Sequence, residues 1–95
     1  MKTGIELIAK ERQEQIEKHG RTIEDDAIQN RDGELTDGAI AILMSNGKIF
    51  PNTWDPSVCA HMVKKPYMER LIIAGAFIAA ELDRLMLNSE EHEEN

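Results

Sequence analysis

Residues 70–87, RLIIAGAFIAAELDRLML, are the most apolar segment of this 95-residue chain. Their uninterrupted apolar part, residues 71–80, is about half as long as the roughly 20 residues that a bilayer-spanning helix needs. We therefore expect the segment to be buried in protein, with no membrane partner. At helical spacing its apolar side chains occur on nearly every face, which is typical of a helix surrounded by other helices. The segment predicts the central helix of an all-α fold.

Two further helices are predicted on the N-terminal side of this segment. Thr3 and Glu6 form a capping box, which predicts a first helix over residues 5–19. Its predicted inner stripe is Ile5, Ile8, Arg12, Gln15, Ile16 and His19. Asp32 is a candidate N-cap of a second helix, which includes the apolar residues 38–44. The fold is thus predicted to be a small helical bundle of three main helices.

A short helix and an acidic tail complete the predicted layout. Asp55 followed by Pro56 predicts the start of a short helix that ends near Lys64. Residues 88–95 are acidic and have no apolar anchors, so we expect them to be disordered. The chain is therefore predicted to be a single helical domain, residues 1–87, followed by a disordered tail.

The composition disfavours some classes of partner. The chain has 11 basic and 18 acidic residues and a net charge of -7, which disfavours nucleic acid and suits divalent cations. One cysteine and the lack of a secretion signal favour a reduced, cytoplasmic protein. Because three helices make a thin core at this length, we expect a homodimer or homotetramer to complete the bundle.

Glu81 lies on an apolar face of the predicted central helix, in line with Ala74 and Ile78. Burying an ionised carboxylate without a partner is costly, so Glu81 should meet an arginine, a metal ion or water in a cleft. The arginine could be Arg70 or Arg84 of another helix. The spacing leaves the choice between an ion pair and a metal site open.

Glu34 and Asp37 lie about one turn apart on the second helix. Pairing with the central helix could bring them opposite Glu81, which is how helical bundles build carboxylate metal sites. Oxygen ligands suit magnesium or manganese, and magnesium is often bound with substrate phosphates, so a nucleotide is the expected substrate. The alternative is that Glu34 only interacts with the helix dipole and that Asp37 is exposed.

Several motifs occur together in a characteristic order: ERQEQIEKHG, EDD, GEL and KKP, followed by RLIIAGAFIAAELDRL. In this order they resemble the phage-type dATP/dGTP diphosphohydrolase-like family, which is related to the MazG-like all-α nucleotide pyrophosphatases. The resemblance implies a helical bundle, assembled as a dimer or higher oligomer. It also implies magnesium-dependent hydrolysis of nucleoside triphosphates to monophosphate and pyrophosphate.

The family's metal ligands form E-x-x-E and E-x-x-D pairs on neighbouring helices. Glu34 and Asp37 match one such pair. The second pair departs from the pattern, because Glu81 is followed three residues later by Arg84 in place of a carboxylate. The resemblance implies that Glu34, Asp37 and Glu81 bind Mg²⁺, or alternatively Mn²⁺.

Two further residues take expected roles from the resemblance. Asp26 belongs to the EDD motif and is expected to be an auxiliary catalytic carboxylate. Lys65 directly precedes a proline, as in the family, and is expected to contact the substrate triphosphate. The main hypothesis is a nucleoside triphosphate diphosphohydrolase. The alternative is a catalytically degenerate helical protein of phage origin that binds a nucleotide or a partner.

Overall fold

The computed structural model describes residues 2–19, 23–25 and 30–93, and all regular structure within these ranges is helical. Their elements are helix α1 (Gly4–His19), helix α2 (Glu34–Leu43), a 3₁₀ turn (Gly47–Ile49), helix α3 (Pro56–Val63) and helix α4 (Tyr67–Glu93). Residues 23–25 are also helical, within a segment that lies between α1 and α2. The all-α prediction is confirmed. None of the described helices is long and apolar enough to cross a membrane.

Helix α1 packs along α4 and runs in the same direction. A methyl group on Gly75 would touch the side chain of Ile8. Further along both helices, the guanidinium of Arg12 approaches the carboxylate of Asp83, at 3.6 Å. Ile8 of α1 therefore lies beside Gly75 of α4, and the later residue Arg12 lies beside the later residue Asp83. This order shows that the two helices are parallel, with the C-terminal end of α1 near the C-terminal half of α4.

Helix α2 runs antiparallel to α4, and an arginine fixes this arrangement at one end. The Nη1 of Arg70 donates to the carbonyl oxygens of Ile42 at 3.1 Å and Leu43 at 3.3 Å, at the end of α2. Its Nε donates to the carbonyl oxygen of Lys65 at 3.0 Å. A cation at this position satisfies carbonyl groups that have no partner within the helix and complements the helix dipole.

The core lies between α2, α4 and the segment that connects them. Its largest fully buried side chains are Phe77, Leu35 and Ile42. The indole of Trp54 packs edge-on against Phe77, with ring centroids 5.2 Å apart. The indole Nε1 donates to the Oδ1 of Asn30 at 3.0 Å, which satisfies the one polar group of this side chain. Trp54 thereby anchors the connecting segment to the two main helices.

Two of the predicted helix starts are confirmed. Thr3 and Glu6 form the capping box, with reciprocal backbone-to-side-chain hydrogen bonds of 3.3 Å. Asp55 is the N-cap of α3 and accepts hydrogen bonds from the hydroxyl and backbone N–H of Ser57 at 2.8 and 2.9 Å. Both hydrogen bonds lower the pKa of the Asp55 carboxyl group, and the one from the Ser57 hydroxyl has the larger effect.

The predicted N-cap of the second helix is wrong. The cap position is occupied by Gly33, at a φ of 90°, and no side chain caps the helix there. A positive φ strongly favours glycine. The cap position therefore falls on Gly33 and not on Asp32, one residue earlier. The backbone N–H of Asp32 instead donates to the Oε1 of Glu34, at 2.6 Å.

The ends and faces of two helices differ from the prediction. Helix α4 continues past Leu87 to Glu93, through residues predicted to be disordered, where glutamates favour helix. On α1, Ile5 was predicted to face inward but is 82% exposed, whereas Arg12 and Gln15 of the same predicted stripe are buried. The inner face of α1 is therefore largely polar.

The outward face of α4 is apolar and exposed. Its four aliphatic side chains, which we call the outer stripe, are Leu71, Ile78, Leu82 and Leu85, with exposures of 41%, 50%, 55% and 47%. The sequence predicted neighbours on nearly every face of this helix. In the single chain, α1 and α2 cover the other faces and leave this one uncovered.

Substitution of Gly38 tests the packing of the Trp54 ring. A Cβ on Gly38 would overlap the indole, so Gly38→Ala should destabilise by about 1–3 kcal/mol through overpacking. This outweighs the roughly 1 kcal/mol that alanine gains over glycine in a helix. Thermal unfolding should show a melting temperature lower by several degrees.

Gly75→Ala is the matched comparison, because its Cβ would meet the Cδ1 and Cγ1 of Ile8, at 2.6 and 2.9 Å, and this half-buried side chain can move aside more easily than the buried indole. We expect little change or a small gain in melting temperature. Equal stability of the two variants would contradict this account of the core.

Candidate functional site

Glu81 and Arg84 form a buried ion pair one turn apart on α4. The Nε and Nη2 of Arg84 donate to the two carboxylate oxygens of Glu81, at 2.7 and 2.9 Å. The side chain of Arg84 is 8% exposed and that of Glu81 is 16% exposed. Glu81 thus has the arginine partner that its position required, but this arginine belongs to its own helix.

Two more carboxylates act on the same guanidinium. The hydrogen bond with Glu81 raises the pKa of Arg84, burial opposes this, and the charges of Glu81, Glu34 and Asp32 raise it further. Glu34 opens α2, and its electrostatic effect on Arg84 is consistent with the antiparallel packing of α2 on α4. Glu34 is therefore near enough for its charge to act on the guanidinium that Glu81 binds directly.

The face of α1 that packs on α4 has a second set of buried polar side chains. Arg12, 7% exposed, pairs with Asp83, and Gln15, 4% exposed, lies one turn further along the same face. The Nε2 of Gln15 donates to the Oε2 of Glu11 at 3.1 Å. We define the polar cluster as Asp32, Glu34, Glu81 and Arg84, the three carboxylates and the guanidinium on which their charges act.

Arg12 and Gln15 can be recognised in the sequence by their position on a helix face. Arg12 and Gln15 fell on the predicted inner stripe, where apolar residues are the rule. Buried polar residues at such positions need partners, and those partners come from the facing helix. No chemical role was predicted for either residue or for Asp83.

The remaining predicted site residues lie elsewhere. Asp37 is exposed on α2. Lys65 lies just before α4 and pairs with Glu69, at 3.7 Å. Since a helix rises about 1.5 Å per residue, Lys65 is roughly 20 Å from Glu81 along α4. Asp26 is outside the described residues.

The polar cluster meets only part of the requirement for magnesium. Its oxygen donors and its excess of carboxylates over guanidinium groups suit the ion. However, both oxygens of Glu81 accept from Arg84. In the described part of the chain, no three Asp, Glu, His or Cys side chains are close enough to hold a metal. Binding of magnesium by Glu81 would require at least one of these two hydrogen bonds to open.

A cavity of about 240 Å³ lies in a different region, beside the segment that connects α2 and α3. Phe50, Trp54 and Cys59 contribute to its wall, and Lys48 adds a cationic group. None of the predicted site residues lines it. The polar cluster is therefore the candidate site that combines predicted residues with buried charge.

Comparison of the chain with protein-family models, with curated proteins and with solved structures found no match. The family resemblance therefore rests on the sequence motifs themselves.

Removal of Arg84 tests the energetic role of the ion pair. Arg84→Met leaves the Glu81 carboxylate buried without its partner, so we expect a loss of about 3–5 kcal/mol in chemical denaturation. The double variant Glu81→Met/Arg84→Met should recover most of this loss, because it removes both charges. Arg31→Met, at an exposed arginine, is the control and should change stability little. A double variant as unstable as the single one would contradict the pairing.

Proposed function

We propose that this chain is a nucleoside triphosphate diphosphohydrolase of the MazG-like type. It would convert ribo- or deoxyribonucleoside triphosphates to monophosphate and pyrophosphate. The supporting observation is that Glu34 and Glu81, from different helices, both act electrostatically on the buried guanidinium of Arg84, which Glu81 also binds through two hydrogen bonds. These glutamates are two of the three metal ligands that the resemblance implies, the third being Asp37.

The chemistry of the polar cluster suits this reaction. A carboxylate beside the substrate can orient the attacking water and accept its proton as the new P–O bond forms, and Glu34, half-buried at the start of α2, is suited to this role. A buried guanidinium stabilises negative charge that develops on phosphate oxygens, which suits Arg84. Pyrophosphate leaves as the old P–O bond breaks.

Magnesium dependence, with manganese as a substitute, rests on the resemblance. Bound at this site, the ion would neutralise charge on the triphosphate. Glu34, Asp37 and Glu81 are the proposed ligands, and Asp26 is the proposed auxiliary carboxylate. Both oxygens of Glu81 accept hydrogen bonds from Arg84, so Glu81 can bind the ion only by giving up part of this contact.

A second candidate function is nucleotide or partner binding without catalysis. Arg84 donates to both oxygens of Glu81 and occupies the sequence position where the family's pattern has a carboxylate. An arginine at this position neutralises Glu81 without a metal ion. This observation favours a catalytically degenerate member of the class.

We further propose that a second copy of the chain covers the outer stripe. The residues of the stripe are seven, four and three positions apart, which is the spacing by which two helices interlock apolar side chains. Monomeric proteins rarely expose contiguous apolar patches above a few hundred Å². Lys65 is roughly 20 Å from Glu81 on its own chain, so it could reach a substrate there only from another copy. A homodimer or homotetramer meets both requirements.

The composition of the chain bears on its expected partners and cellular location. The net charge of -7 supports the expectation that nucleic acid is not a partner. A cytoplasmic location remains an expectation from the sequence. The nucleotide substrate and a second copy are the proposed partners.

Product analysis tests the enzymatic function. We incubate the protein with a panel of nucleoside triphosphates, with and without magnesium, and separate the products by chromatography. Monophosphate and pyrophosphate should appear only with magnesium. Glu34→Gln and Glu81→Gln should each lower kcat/KM by on the order of 100-fold or more, because each removes a carboxylate from the site.

Glu6→Gln is the matched control, since Glu6 is exposed at the far end of α1 and glutamine also supports a capping box. It should keep wild-type activity. If the folded wild-type protein hydrolyses nothing, the catalytic function is wrong and the binding function takes its place. Full activity in Glu34→Gln would contradict the location of the site.

A charge on the outer stripe tests self-association. The wild-type protein should sediment as a dimer or tetramer, and Leu82→Glu should shift it to the monomer without loss of helix content. Ile5→Glu adds the same charge at an exposed apolar residue of α1, away from the stripe, and should leave assembly unchanged. A wild-type monomer at all accessible concentrations would refute the proposed interface.

A further inference from the structure

Arg84 occupies the carboxylate that the resemblance assigns to a metal ion. Its Nε and Nη2 donate to the two oxygens of Glu81, at 2.7 and 2.9 Å, and both side chains are largely buried. Charge-assisted contacts of this bidentate kind are among the strong hydrogen bonds of proteins. A divalent ion beside the same carboxylate would also be repelled by the charge of the guanidinium. The guanidinium and an ion therefore compete for Glu81.

The charges around the guanidinium are consistent with this competition. The hydrogen bond with Glu81 raises the pKa of Arg84, and the charges of Glu34 and Asp32 raise it further. One cation thus interacts with three carboxylates. Among the described residues, no three Asp, Glu, His or Cys side chains are close enough to hold a metal. Arg84 therefore provides the positive charge that an ion would otherwise provide to these carboxylates.

The contact between Arg84 and Glu81 should not open without a replacement partner. Opening it alone would leave two buried charges unpaired, which is strongly unfavourable. The Nη1 of Arg84 takes no part in the contact, so this nitrogen can donate to a further acceptor. Phosphate oxygens are acceptors of this kind, and guanidinium groups bind them in the same bidentate geometry. A triphosphate can therefore take over the guanidinium while Glu81 becomes available to a cation.

We propose that Arg84 blocks ion binding at Glu81 in the free protein, and that the triphosphate of a bound nucleotide releases this block by taking over the guanidinium. Glu81 is then available to magnesium only while a nucleotide is bound. The proposal rests on the proposed function, since it requires that the polar cluster bind a nucleotide. It adds that binding of the ion is coupled to binding of the substrate.

Thermal unfolding with magnesium alone tests the block, because an ion that binds only the folded protein raises its melting temperature. Millimolar magnesium should leave the melting temperature of the wild type nearly unchanged, relative to sodium chloride of equal ionic strength. In Arg84→Met, where Glu81 is free, magnesium should raise it by about 5 °C or more. Glu81→Met/Arg84→Met lacks the carboxylate as well and should lose this rise.

Arg31→Met is the matched control. Arg31 is exposed, and its loss changes the net charge by the same amount as the loss of Arg84. This variant should respond to magnesium as the wild type does. An equal rise in Arg31→Met and Arg84→Met would mean that magnesium responds to net charge alone, and would overturn the block.

Nuclear magnetic resonance of the wild type tests the release and needs no variant. Mn²⁺ broadens the signals of nearby nuclei. Mn²⁺ alone should leave the backbone amide signal of Glu81 sharp. Mn²⁺ together with the α,β-methylene analogue of ATP, which resists cleavage at that bond, should broaden it. This measurement remains decisive even if Arg84→Met fails to fold.

The contrary results separate this inference from the proposed function. Broadening of the Glu81 signal by Mn²⁺ alone would overturn the block, because an ion would then reach Glu81 while Arg84 is in place. No rise in the melting temperature of folded Arg84→Met would also overturn it, since no ion site would lie behind the arginine. In both cases hydrolysis of nucleotides could still occur. If the analogue produces no broadening, release by the triphosphate is wrong, and a lack of hydrolysis products would show that the proposed function fails with it.

Discussion

The packing of α2 against α4 is the contact on which the rest of the structure depends. It buries Leu35 and Ile42 of one helix and Phe77 of the other, and these are the largest fully buried side chains among the described residues. Trp54 closes the same core and approaches α2 so closely that only glycine fits at position 38. Burying apolar area of this kind is the main favourable contribution to the stability of a small domain.

The antiparallel direction of this contact determines where the charged groups meet. One end has Arg70, which satisfies the last carbonyl groups of α2. The other end brings the first residue of α2, Glu34, toward the buried pair of Glu81 and Arg84. Because charges are costly to bury, they occur where they can compensate one another. The polar cluster is thus a consequence of the helix pairing that forms the core.

Much of the helical layout could be predicted from the sequence, because caps and apolar periodicity are local signals. The Asp55 cap and the apolar runs of α2 and α4 are of this kind. The sequence did not predict that Gly33 caps α2, since a residue's φ depends on the path of the preceding loop. Nor did it predict that Arg84 pairs with Glu81 of its own helix. Arg70 and Arg84 were both candidates, and tertiary packing determines which arginine lies beside Glu81. The separation of Lys65 from Glu81 likewise follows from the fold, and it makes assembly central to the proposed site.

The most direct test of the proposed site is nuclear magnetic resonance of the Arg84 side chain during titration with a nucleoside triphosphate and magnesium. The Nε–H signal of Arg84 can be assigned by comparison with Arg84→Lys, and that of the exposed Arg31 serves as an internal reference. If the polar cluster binds the nucleotide, the Arg84 signal should shift in a saturable manner while the Arg31 signal stays constant. An unchanged Arg84 signal, with shifts confined to the Trp54 indole beside the cavity, would contradict the account and place the binding site elsewhere.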